Sequence, residues 1–367
     1  MTFISSSIPV PVARVTGFSC VFDSTETEIR HCVLTGSPTQ REEDLHPFLF
    51  NAIVIEGGLQ PGITKMTSEG IDPDIEIMSD AHNISLIKKK ECRVLSSKKF
   101  NRNTMPRHYE QNVELFWAER QKTNPKLFNG TKFRLDSVTM TSKPTSVLTM
   151  NVGVTDYKDL IGTNWSPEAK DIRNLGLRDC NNSQTYMSDA MGVGAFVQTS
   201  DHFLILLRRS ADCAEAACLW DVPGGHPEPK EIVGIIPAED IDPDSLSPAA
   251  IVEEIYDSIV RETIDEVNIP RSVLSEPELI GIARNTTSAG RPSVEFFIRC
   301  SLTSGEVLSL YNTGSQAEAE ESTAIKVVPV GEVPGLQFEC PELWNLLAPS
   351  AKGCLTLYRQ YIRQNGE

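Results

Sequence analysis

Two stretches of this 367-residue chain gather residue types that do chemistry. Asp221-Val222-Pro223-Gly224-Gly225-His226-Pro227-Glu228-Pro229 offers a tight glycine turn beside carboxylates and an imidazole, and Arg261-Glu262-Thr263-Ile264-Asp265-Glu266-Val267 repeats acids at helical spacing. At about 100° per residue, Glu262 and Glu266 lie roughly 40° apart on one helix face, with Asp265 about 60° to the other side of Glu262. Clustered carboxylates repel one another. A hard divalent cation removes that repulsion and still leaves positions for water and a phosphate oxygen. Mg²⁺ is the natural occupant, with Mn²⁺ as the alternative. A run of acids alone also fits a solvated helix face; the Gly-Gly turn, which lets main chain approach closely, favours the metal. The apolar arc Val252, Tyr256, Ile259, Val260, Ile264 and Val267 points elsewhere, so the acids are expected to border the core without entering it.

The elements that must position these groups can be read from periodicity. Pro248 to Val267 is strongly helical, and Gly192–Thr199, Phe203–Arg209 and Leu219–Val222 are strand-like pieces that lead into the glycine turn. Leu279–Arg284 and Ser293–Leu302 read as a hairpin, Thr323–Val330 as a further strand, and two helices near 341–347 and 350–364 close the chain. Upstream, a helix near Val113, strands at Lys132–Met140 and Ser146–Tyr157, and a helix start with Ser166 as cap and Pro167 at the first helical position form a small α+β layer. Seven basic residues crowd between Lys88 and Arg102, read as a solvated loop or, alternatively, a nuclear-import or phosphate-binding patch. Residues 1–72 show no period and read as an extension. The acidic segment Ile232–Leu246 is expected to be a surface excursion.

Gly225, five residues, Glu231 and then Arg-Glu-Thr-Ile-Asp-Glu-Val-Asn-Ile resemble the box of the Nudix hydrolases, G-x5-E-x7-R-E-U-x-E-E-x-G-U with U aliphatic. Here 29 residues separate Glu231 from Arg261 where the pattern has seven, an insertion of 22; Asp265 replaces a Glu and Asn268 the Gly. With Asp221–Pro229, Gly281–Asn285, Thr287–Arg291, Leu160–Ser166 and Pro349–Gly353, the chain resembles the animal Nudix branch that hydrolyses UDP-glucose and UDP-galactose. The resemblance implies an α/β protein: a Nudix α/β/α sandwich over 191–367, its box at 225–269, with a smaller N-terminal α+β layer over 73–190 contributing to the nucleotide pocket. It implies Glu262, Glu266 and Asp265 as metal ligands, with Glu262 as the candidate base and Arg261 orienting the helix acids. It implies Phe128, Tyr157, Arg209, Asp221, His226, Glu228 and Ser350 as substrate contacts, and one carboxylate on a late loop near the metal, for which Glu318, Glu320 and Glu321 are the candidates and Glu321 the choice. Phe128 and Tyr157 are suited to stack on uracil and ribose, and Arg209 to hold a diphosphate. His226 is read either as a proton carrier or as a plain hydrogen-bonding contact.

The net charge of −16 argues against nonspecific nucleic-acid binding, and no apolar run approaches a bilayer span. Nine scattered cysteines without a C-x-x-C pair read as thiols in a reducing, cytoplasmic compartment, with the nucleus as a second address. The expected reaction is Mg²⁺-dependent hydrolysis of UDP-glucose or UDP-galactose to UMP and sugar 1-phosphate. Its rivals are a pyrophosphatase for another nucleoside diphosphate, such as ADP-ribose or CoA, and a silent Nudix domain that binds a nucleotide or a protein.

Overall fold

The computed structural model describes residues 72–78, 86–141 and 147–366; the extension read over 1–72 lies outside them except for Asp72. In chain order the elements are β1 (Ile75–Ile77), β2 (Cys92–Ser96), α1 (Arg107–Thr123), β3 (Thr131–Thr141), β4 (Val147–Asp156), α2 (Tyr157–Gly162), α3 (Ala169–Cys180), β5 (Gly192–Gln198), β6 (Phe203–Arg209), β7 (Trp220–Asp221), β8 (Gly224–Gly225) and α4 (Lys230–Val233). There follow α5 (Pro248–Val267), β9 (Glu278–Asn285), β10 (Arg291–Arg299), α6 (Ser304–Tyr311), β11 (Ser322–Pro329), α7 (Leu336–Glu339), α8 (Pro341–Trp344) and α9 (Pro349–Asn365). Helix α5 begins where the Ser247 side chain accepts from the Ala250 amide, with Pro248 just inside. It ends at Asn268, whose φ of 63° is left-handed, a conformation Asn tolerates better than most side chains.

The large mixed sheet has the order β1-β9-β10-β5-β6-β11. Strand β5 is parallel to β10 and antiparallel to β6, but it meets β6 only at Gln198 and Leu204, the hairpin end. Beyond that point the two strands diverge, and the 220–225 segment fills the gap, β7 pairing with β6 and β8 with β5. Successive β5 residues point to opposite faces. Ala195 and Val197 share a core with Ile251, Ile255 and Ile259 of α5. Phe196 packs on the other face with Ala351, Cys354 and Tyr358 of α9. Helix, sheet and helix thus form the three expected layers.

The smaller sheet, ordered β2-β4-β3, contributes Val94, Phe133, Leu135, Met150 and Val152 to the core on the α5 side. The two sheets therefore close one continuous apolar interior. Arg134 of β3 lies in this junction, 1% exposed, donating to the carbonyls of Phe100, Gln184 and Met187.

Several expectations need correction. The basic stretch 88–102 is no loop: it contains β2, and Lys89 pairs with Glu253 and Asp257 while Arg102 pairs with Glu110 and Asp159. Its strand was masked because only Cys92 and Val94 alternate inward over five residues. Strand β1 and Ile87 join β9 of the large sheet, although the 73–190 boundary assigned them to the small layer. Helix α3 starts at Ala169, after a turn in which Ser166 Oγ accepts from the Glu168 amide. Helices α2 and α6 were not read at all. The segment 232–246 is only in part an excursion. Ile235 and Ile236 are exposed, but Ile241 and Leu246 are each 6% exposed within the core, and Asp244 accepts from Ser97 Oγ (2.7 Å) and the Lys98 amide (3.2 Å).

These anchors make a stability prediction. Replacing 234–246 by a short Gly-Ser link, or Ile241 by Ala, lowers the urea midpoint; for Ile241→Ala the loss is about 2–4 kcal/mol, as for other buried aliphatic truncations. Midpoints equal to wild type in both variants would show the segment to be a passive surface loop.

Candidate active site

Strand β8 is squeezed between β5 and α5. A Cβ on Gly224 would strike the Val193 backbone carbonyl, so this position needs glycine, and one on Gly225 would displace the Glu262 carboxylate. With side chains absent, the alternate amides of the 224–228 loop face the helix. Gly224 N–H donates to Glu266 (2.9 Å), His226 N–H to Glu262 (3.4 Å) and Glu228 N–H to Glu254 (3.0 Å). Arg261 extends to Glu254 as well, at 2.7 Å.

The acids that were expected to border the core are drawn further in. Glu266 is 5% exposed; the expectation failed because the Gly224 amide supplies a partner that lets a carboxylate enter. Desolvation raises its pKa well above the ordinary value, and Glu262 adds to the shift. Glu262 is pushed up to about 7, first by desolvation and then by Glu318, with a further contribution from Glu321. Glu318 and Glu321 come from the loop before β11, where the Glu318 amide donates to the Asp265 carbonyl. Glu266, Glu318 and Glu321 each present a carboxylate oxygen within 4.8 Å of the others. An all-oxygen, like-charged set of this kind fits a hard divalent cation. Of the three helix acids read as ligands, Glu266 belongs to that trio. Glu262 and Asp265 line the adjoining cavity.

That cavity, of about 410 Å³, opens where β5 and β6 diverge, and Arg209, Asp221, His226, Glu228 and Ser350 lie in its wall. Asp221 accepts from Ser350 Oγ at 2.8 Å through both oxygens and lies 3.7 Å from Arg209. The Nε2 of His226 faces Arg291 at 2.7 Å. Desolvation first, then Lys132, Arg291 and Arg209, hold this imidazole well below its ordinary pKa, so it is neutral and accepts at Nε2. Glu228 pairs with both Lys132 and Lys230. Phe128 and Tyr157 do not line the cavity. Phe128 is 64% exposed at its rim, close to Gly130, Lys132 and Glu228, and Tyr157 packs edge-on against Trp117 and Trp165.

Sequence reasoning missed Lys132, Glu215, Arg291 and Glu254; of the late-loop acids it singled out Glu321, and the structure brings Glu318 in beside it. Arg291 closes a motif that had been noticed, Thr287–Arg291, without a role being drawn from it; it bonds Glu215 at 3.0 Å. Glu215 lies in a loop with no period and becomes visible only through its partners Asn285, Ser288 and Arg291.

Comparison with known proteins follows the same direction. The chain is 46% identical over 251 residues to Uridine diphosphate glucose pyrophosphatase NUDT22 of Mus musculus, covering 68% of this chain and 79% of that protein. It is 40% identical over 292 residues to the Bos taurus protein of the same name, covering 79% of this chain and 98% of the relative. With Nudix hydrolase 9 of Arabidopsis thaliana it shares 32% identity over 240 residues, 63% of this chain and 76% of that one. No protein-family model matches the chain. The fold, the split box and these relatives define a Nudix hydrolase. The chain belongs to the Nudix family, in the branch of the UDP-glucose pyrophosphatases NUDT22.

The raised pKa of Glu262 has a measurable consequence. Between the ordinary 4.5 and about 7 the folded, metal-free protein holds a proton that the unfolded chain has lost. Glu262 therefore contributes stability at low pH that disappears as pH rises through this window. A cation, which needs the deprotonated carboxylate, stabilises in the opposite sense. In EDTA, Glu262→Gln is expected to melt higher than wild type at about pH 8 and to gain less from added Mg²⁺. Parallel Tm-against-pH curves for the two proteins would refute the assignment.

Proposed function

We propose that the chain hydrolyses the diphosphate of UDP-glucose and UDP-galactose to UMP and sugar 1-phosphate, with Mg²⁺ as the cation. The observation that carries this reading is a cavity lined both by a cluster of acids, Glu262, Asp265, Glu318 and Glu321, and by the fixed cations Lys132, Arg209 and Arg291. Such a lining suits a metal and a polyanion whose remaining charge needs donors. The names of the relatives support a nucleotide sugar as that polyanion.

A Mg²⁺ bound among the carboxylates supplies charge neutralisation and Lewis acidity. Everything else is work for the chain. Arg209 donates from Nε to the Glu215 carbonyl at 3.0 Å and leans on Asp221, which preorganises its fork for phosphate oxygens. His226, neutral and bonded to Arg291, positions the loop and leaves proton transfer to another group. Glu262 fits that role: water adds to one phosphorus, the bridging P–O bond breaks, and the water proton passes to a carboxylate whose pKa lies near neutrality. Phe128, exposed beside Lys132 and Glu228, offers a face for uracil, and the small layer supplies it. The described cysteines are free thiols, which supports a reducing, cytoplasmic setting.

Incubation with Mg²⁺ and UDP-glucose, ADP-glucose, ADP-ribose or CoA, with products resolved by chromatography, tests the reading. UMP and glucose 1-phosphate should form fastest from UDP-glucose; equal rates with ADP-glucose contradict recognition of uracil. Glu266→Gln should lower kcat by roughly 100-fold or more at saturating Mg²⁺. Phe128→Ala should raise KM for UDP-glucose about 10-fold while kcat changes by less than about 3-fold, because it removes only stacking remote from the reacting phosphate.

A further inference from the structure

Of the two buried acids of α5, Glu254 and Glu266, Glu254 is the one that neither the metal trio nor the cavity wall accounts for. It is 6% exposed, on a helix stretch where Ile251, Ile255 and Ser258 are also buried. A buried carboxylate is costly unless it is paired and hydrogen-bonded. Its Oε1 has two donors: Arg261 Nη2 at 2.7 Å and the Glu228 amide at 3.0 Å. Seven residues make about 700°, so Glu254 and Arg261 lie within roughly 20° of each other two turns apart. Helix side chains lean toward the N-terminus, and the long Arg261 side chain reaches back to it. Counted from Gly225, the box spacing makes Glu231 the acid of the box that precedes Arg261. Glu231 lies near it and lines the cavity, but the ion pair goes to Glu254.

We infer that Glu254 is a positioning residue that locks the Arg261 side chain and the substrate loop at Glu228, taking in this chain the place the box spacing gives to Glu231. The link extends further, because the Glu228 carboxylate it steadies holds Lys132 and Lys230 beside the cavity. The inserted segment then enters between the loop and its helix anchor, ahead of Glu254. This inference rests on the reading that the cavity turns over UDP-glucose, so its test includes a measurement independent of turnover.

Steady-state kinetics and amide hydrogen exchange are measured on the full chain and on Glu254→Gln, Glu254→Ala, Glu231→Gln and Arg261→Gln. Glu254→Gln should lower kcat/KM roughly 10–100-fold, as removing the partner of a site residue does, and Glu231→Gln distinctly less. Combining Glu254→Gln with Arg261→Gln should cost no more than the worse single change, since both break one link. Exchange of the Glu228 amide should quicken in Glu254→Ala and stay protected in Glu254→Gln, which keeps an acceptor oxygen. Arg261 is 44% exposed in its side chain, so Arg261→Gln tests the pair if the Glu254 variants do not fold. If wild type leaves UDP-glucose intact while the exchange pattern holds, the functional reading fails and the link stands. Wild-type turnover and exchange in the Glu254 variants, or additive losses with Arg261→Gln, overturn it.

Discussion

The site depends on the backbone of residues 224–228 being held against α5 by three amide-to-carboxylate hydrogen bonds. Loop and helix run in opposite directions, so amides 224, 226 and 228 meet acids 266, 262 and 254. Two extended residues advance about 6.6 Å and four helical residues about 6 Å, so the first two rungs are in step. The third is not, since eight helical residues cover about 12 Å. It forms all the same, with the Glu228 amide 3.0 Å from Glu254 Oε1. Gly224 and Gly225 are the condition for all of this: a Cβ on Gly224 would push the loop off the β5 backbone, and one on Gly225 would displace the Glu262 carboxylate that accepts the second rung.

The same ladder explains why so many acids can meet. Each rung gives a buried oxygen a donor, which offsets part of its desolvation, but the carboxylates still repel one another and their pKa values rise. The fold therefore carries an unfavourable charge cluster that a cation would relieve, a strain of the kind that accompanies function. Arg209 offsets only part of the charge on Glu266, whose pKa stays raised. Lys132, Arg209 and Arg291 are each paired as well, with Glu228, Asp221 and Glu215 in turn, which fixes them in the cavity wall. A long-range field from the net charge of −16 works against capture of polyanions at large, so any attraction for an anion must come from such locally placed cations.

What could be read in the sequence follows from how local each feature is. Glu262 and Glu266 were legible because an i, i+4 pair on a strongly periodic helix needs no tertiary information, and Gly224-Gly225 because few other residue pairs demand a close backbone approach. The burial of Glu266 was not legible: its partner, the Gly224 amide, is 42 residues away. Lys132 gave a signal only as the start of an alternating strand, and its role emerged when β3 was placed beside the loop. Glu215 had no period, and Arg291 no partner within its own motif. Glu254 stood next to Glu253 and near Asp257, which read together as a solvated acidic face until the Glu228 amide and Arg261 are seen to converge on Glu254. Ile241 and Leu246 were hidden for the opposite reason, being apolar residues too widely spaced in an acidic run to register as an element.

A box interrupted by 22 residues keeps its geometry because the interruption is tied at both ends to one body. Glu228, at the entry, pairs with Lys132 of β3, and Asp244, near the exit, accepts from Ser97 and Lys98 beside β2. Both strands belong to the small sheet, whose apolar side chains share a core with α5. Closing a longer loop costs only a logarithmic increment of entropy, and here the ends are fixed by contacts that the small sheet makes anyway. The insertion and the small layer are thus parts of one device. The layer that carries Phe128 also pins the loop leaving the glycine turn, so a displacement of that layer would be felt at Glu228 and, through its amide, at Glu254 and Arg261 on α5.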